Sequence, residues 1–163
     1  MSAAELSAAL WRERELLDGL VYALEVEHLL LTAGRTHRLD RASRDVERVL
    51  GGVRDAGLTR AVAVAAVADA WAAPADATLR QLIEHSPDAA WREVLVEHLE
   101  ALTRLTGQIA ELREANSSHL RTLLRSTDEV LASGVEQRDP RAYTAQGGSA
   151  AGAASTPLIS KDL

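Results

Sequence analysis

SPDAAWREVLVEHLEALTRLTGQIAELREANSSHLRTLLRSTDEVLAS, residues 86–133, is the stretch whose reading decides the fold. Leu95, Leu99, Leu102, Leu105, Ile109, Leu112, Asn116, Leu120, Leu123 and Val130 recur in it at helical steps, mostly three and four. That spacing sets them on one stripe of an α-helix. Ser86-Pro87-Asp88 is a start signal. Ser accepts from free N–H groups, Pro lacks the N–H that would be orphaned, and Asp complements the helix dipole. Gly134 is expected to end the helix. A stripe this long exceeds what one small core needs. It predicts a rod-like bundle that offers side-chain surface to partner helices rather than a pocket to a substrate.

Working back toward the N-terminus, a first helix is expected from about Ala3 to Ala33. Leu6, Leu10, Leu17, Leu20, Leu24 and Leu31 keep the helical spacing, with Glu13 and Glu27 interrupting it, and Gly34 caps the C-terminus. A second helix begins near Thr36, carries Leu39, Val46, Val49 and Leu50, is weakened by Gly51 and Gly52, and breaks at Gly57. Leu58 to Ala73 alternates Ala and Val and could pair as a strand. No second strand candidate exists, so a helix stopped by Pro74 is expected. Asp76 is expected to cap a short helix holding Leu79, Leu82 and Ile83. Periodicity vanishes after Gly134, and residues 146–155 have the composition of a flexible segment. The fold class is therefore all-α: an elongated antiparallel helical bundle, coiled-coil-like, over residues 1–133. It has one long C-terminal helix and a disordered tail over residues 134–163.

Composition narrows the function. The chain has 163 residues, 47% of them apolar and only 3% aromatic, with no Phe, so its core is aliphatic and small. Net charge is -6. The charges after Ser133 cancel, which places the acidic excess in the helical part. An acidic body argues against nucleic acid and against an anionic membrane surface. Without cysteine there is no disulfide or thiolate metal site. Residues 1–5 lack the pattern of a signal peptide, and Ala61–Ala73 is too short to span a bilayer. A cytoplasmic protein without membrane insertion is expected.

No motif carries chemistry. Glu25 and His28 form a Glu-x-x-His, the spacing of a di-iron carboxylate bundle, but the second such motif is missing, so a solvated helix face is expected. His37, His85, His98 and His119 read as surface or boundary residues. No P-loop and no Gly-x-Ser-x-Gly occurs. The chain reads as a non-enzyme with no cofactor and no metal. Asn116 interrupts the long stripe; it either fixes register or sits at the exposed edge. Trp11, Trp71 and Trp91 are expected to anchor helices to one another. Tyr143 stands in a featureless tail, where it is either a recognition anchor or a chance aromatic.

These helical patterns resemble the FlgN-type flagellar export chaperones. At the N-terminus the resemblance rests on Leu10-Trp11-Arg12-Glu13-Arg14-Glu15-Leu16-Leu17, Leu20, Leu24, Glu25 and Leu29-Leu30-Leu31-Thr32-Ala33-Gly34-Arg35. Further on it rests on Ala61 to Ala66, Ala75 to Leu82, Asn116 to Leu124 and Tyr143 to Gly147. The Ala/Val-rich middle elaborates on the minimal family pattern. The resemblance implies a cytoplasmic chaperone that binds the C-terminal helices of hook-associated (hook–filament junction) proteins. It implies that the chaperone prevents their premature assembly and delivers them to the export gate, with Tyr143 matching a tail tyrosine associated with gate docking. A client helix laid along the long helix would use Leu112, Leu120, Leu123, Leu124, Val130 and Leu131. The alternative is a structural or regulatory bundle that oligomerises, for example as a homodimer, through the same stripe and has no client.

Overall fold

The computed structural model describes residues 2–136, with side chains described as far as Ser133. Among the described residues four α-helices follow one another: α1 (Ala3–Thr32), α2 (Leu39–Ala70), α3 (Leu79–Glu84) and α4 (Ala89–Glu136). A single 3-10 turn, Thr36–Arg38, joins α1 to α2. No strand occurs among the described residues, and the Ala/Val alternation that begins at Leu58 resolves as helix as far as Ala70. The chain divides into two units, the first ending at Leu124 and the second beginning at Arg125.

α1 begins with a reciprocal cap. The Glu5 N–H donates to Ser2 Oγ and the Ser2 N–H donates to the Glu5 carboxylate, which satisfies two orphan donors. It ends as expected. Gly34 adopts a left-handed conformation at φ 64°, and the N–H groups of Gly34 and Arg35 turn back to the carbonyls of Leu31 and Leu30. α2 ends in the same hydrogen-bond pattern, Ala72 to Asp69 and Ala73 to Ala68, but with Ala72 at φ 54° in the position glycine prefers. α2 therefore stops at Ala70, ahead of Pro74.

Four expected boundaries need correction. α2 runs unbroken through Gly51, Gly52 and Gly57, so the second and third expected helices are one. A helical glycine costs about 1 kcal/mol against alanine, but this side of α2 lies close to α1. A Cβ on Gly52 would stand 3.2 Å from Leu16 Cδ2, and one on Gly57 would stand 3.8 Å from Glu13 Oε1. Small residues here let the two helices approach. The cap of α3 is Thr78, in a reciprocal box with Gln81, rather than Asp76. α4 begins at Ala89 rather than Ser86. Asp88 Oδ1 accepts the Ala90 N–H at 3.0 Å, while buried Ser86 donates its hydroxyl to the Asp88 carbonyl. At its far end α4 continues through Gly134 to Glu136, since one glycine lowers helix stability without ending a helix.

Two apolar clusters form the core. The first joins Leu6, Ala9 and Leu10 of α1, Ala63, Val64, Val67 and Ala68 of α2, Leu79, Leu82 and Ile83 of α3, and Leu95 of α4. The second joins Leu17, Leu20 and Leu24 of α1 to Leu105 and Ile109 of α4, with Val46, Val49, Leu50 and Val53 of α2 packed against it. Cross-helix contacts fix the directions. Glu13 meets Arg60 and Glu27 meets Ser43, so α1 and α2 are antiparallel. Ser7 meets His98 and the Leu24 carbonyl meets Asn116, so α1 and α4 run the same way, each opposite to α2. Trp71 packs on the first cluster, and Trp11, though 53% exposed, meets the His98 ring of α4 edge-on.

Candidate partner-binding site

On α4, every seventh residue from Leu95 to Val130 shares one row: Leu95, Leu102, Ile109, Asn116, Leu123, Val130. The row is buried or half-buried through Leu123. Leu112 packs against the second core cluster, so it belongs to the bundle's interior edge. Beyond Asn116 the exposed apolar side chains begin. Leu120 is 39% exposed, Leu124 66%, Val130 69% and Leu131 63%. Leu123 is half-buried. Among the expected partner-binding residues, then, Leu112 faces the core, Leu120 and Leu123 are at a transition, and Leu124, Val130 and Leu131 face outward. Tyr143 lies outside the described residues.

A polar cluster lies where core gives way to exposed stripe. Asn116 is 3% exposed, which settles its two readings against the exposed edge. Its Nδ2 donates to the Leu24 carbonyl and to Glu27 Oε2, each at 3.0 Å. Its Oδ1 is 2.9 Å from His28 Nδ1, which must carry the proton because Oδ1 only accepts. Ser43 of α2 donates to the other Glu27 oxygen at 2.7 Å, and the rings of His28 and His119 meet edge-on at 5.3 Å. His28 is therefore a half-buried member of this cluster rather than part of a solvated face, whereas Glu25 is exposed. Sequence reasoning saw Glu27 only as an interruption of the α1 stripe. The signal was its position within that stripe, three residues after Leu24 and four before Leu31.

A second polar cluster lies near the start of α1 and α4. His98, expected at the surface or boundary, is 1% exposed. Arg14 only donates, so His98 Nδ1 accepts from it at 3.2 Å, and Nε2–H is left to donate to Ser7 Oγ at 3.1 Å. Trp11 meets His98 edge-on, and the Arg14 guanidinium stacks 4.1 Å from the Trp11 ring. Burial lowers the His98 pKa, the nearby Arg14 charge lowers it further, and Glu97 opposes both. Glu13, the other interruption of the α1 stripe, is buried and paired with Arg60 at 2.6 Å.

An open groove of about 630 Å³ between α3 and α4 has Ile83, Val96 and Leu99 in its wall, with Arg80, Glu84 and Glu100 beside them, and no histidine or serine. Among the described residues no group of three or more His, Asp or Glu side chains could hold a metal ion. No described helix is long and apolar enough to cross a membrane.

The described residues thus form a small aliphatic helical bundle with buried polar clusters and exposed apolar side chains on its longest helix. The model of the FlgN protein family matches residues 1–151, and the chain belongs to this family of flagellar export chaperones. No curated protein matches the chain, and no solved structure matches it.

Proposed function

We propose that this chain is a cytoplasmic chaperone for hook–filament junction proteins. It holds their C-terminal helical segments along α4, prevents their premature assembly and delivers them to the flagellar export gate. One observation carries the reading: the helical spacing that builds the core continues past Asn116 into Leu120 and Val130, which are exposed, with exposed Leu124 and Leu131 next to them in sequence. An amphipathic client helix has the complementary apolar face, read at the same spacing. Leu123 and Leu112 would border that contact rather than form its centre. Family membership supports the export role in general. The reading calls for no cofactor, and Tyr143 is the residue through which the tail would engage the gate.

The test is titration calorimetry with the C-terminal segment of a junction protein from the same organism. The parent chain is expected to bind it. Leu124→Asp with Leu131→Asp removes two exposed apolar contacts without touching the core. Burying each side chain contributes about 1.5 kcal/mol or more, so affinity should drop roughly 100-fold or further. Helicity should not change. Undiminished binding by that variant would overturn the surface assignment. No binding by the parent, together with a dimer that persists on dilution, would favour the client-free oligomeric bundle.

A further inference from the structure

The apolar rows of α1 and α4 both repeat in sevens. On α1 the positions are Leu10, Leu17, Leu24 and Leu31, flanked by Leu6, Glu13, Leu20 and Glu27. On α4 they are Leu95, Leu102, Ile109, Asn116, Leu123 and Val130. The two helices run in the same direction, so leucine packing alone would accept a shift of one heptad almost as well as the observed alignment. The polar side chains break that degeneracy. Asn116 meets the Leu24 carbonyl, Glu27 and His28, while His98 meets Ser7 and Arg14. If α4 moved by seven residues toward the start of α1, Leu123 would face the Glu27 carboxylate and Asn116 would enter the leucine layer around Leu17 and Leu20. Each buried polar group left without a partner has given up its water for nothing, which disfavours the shifted alignment.

We propose that the Asn116–Glu27 and His98–Ser7 contacts are positioning elements that select one alignment of α4 against α1. They thereby determine which α4 leucines stay in the core and which remain on the surface. The buried cost of these groups is offset by specificity: the pairs are retained because they discriminate between alignments, and apolar replacements would hold the helices together equally well. The proposal concerns the alignment within the bundle and holds whatever partner docks on α4.

The chain has no cysteine, so site-directed spin labels report cleanly. Labels at Glu25→Cys and Glu100→Cys, both exposed, sit at different heights along the bundle. Pulsed dipolar spectroscopy on the full chain should give a single narrow distance. The same labels are then placed in a variant lacking both contacts: Ser7→Ala, His98→Leu, Glu27→Leu and Asn116→Leu. The expected result is an equally or more heat-stable helical protein whose distance distribution gains a second population. A heptad shift moves α4 by about 10 Å along its axis. A folded variant with the parent's single distance would overturn the proposal, because leucine packing and the α3 connection would then suffice. A variant that no longer folds would also overturn it, since the polar contacts would be supplying stability rather than alignment.

Discussion

His98 shows how one buried side chain ties the bundle to pH. Its neutral form accepts from Arg14 and donates to Ser7. A proton on Nδ1 would face the Arg14 guanidinium in a water-poor site, with only Glu97 favouring the charge. The folded chain therefore resists a proton that the unfolded chain takes up near the ordinary histidine pKa of about 6.5. Because the folded-state pKa is lowered, this contribution to stability is fully present above about pH 6.5 and declines as the pH falls toward the folded-state value. Urea midpoints measured between pH 8 and pH 5 should fall on the acid side. His98→Gln, which keeps hydrogen-bonding capacity and does not titrate, should fall less steeply. Equal slopes for the two proteins would assign the acid sensitivity elsewhere.

At the scale of elements, the two long-helix endings form a matched pair with opposite chemistry. Gly34 and Ala72 occupy the same left-handed position in the same hydrogen-bonded cap. An L side chain there costs about 1–2 kcal/mol, partly offset by the greater unfolded-state freedom of glycine. Ala72→Gly should therefore raise the melting temperature and Gly34→Ala lower it, each by about 0.5–1 kcal/mol in free energy at most positions of this kind. Thermal melts of the two variants check both signs. The same pair explains what a reader of the sequence can see. Gly34 announces its cap, so the end of α1 is legible. Ala72 carries no such mark, and the stop falls instead on Pro74. The glycines of α2 look like breaks because their local cost is visible and the close approach of α1 is not. The long stripe on α4 was legible over its full length. Which of its leucines are covered was not, because that depends on where α1 runs, and α1's own polar residues decide it. Glu27 looks like a mere interruption of its stripe and His98 like a surface or boundary residue until their partners, 89 and 91 positions away, are known.

On the scale of the whole molecule, both core clusters and both polar clusters lie before Leu124. A chain ending at Leu124 should keep a cooperative melt within a few degrees of the full protein while losing measurable affinity for junction-protein tails. Differential scanning calorimetry and the titration above check the two halves of that expectation. A truncated chain that melts without a transition would mean that residues after Leu124 are needed for folding. The unbroken course of α4 from Ala89 to Glu136 has one more consequence. Both apolar clusters and both polar clusters engage it before Leu124, so whole turns can be added or removed farther along without altering those contacts. Helix length and core packing are separately adjustable, and heptads can be inserted or deleted after Leu124 without disturbing the packed part.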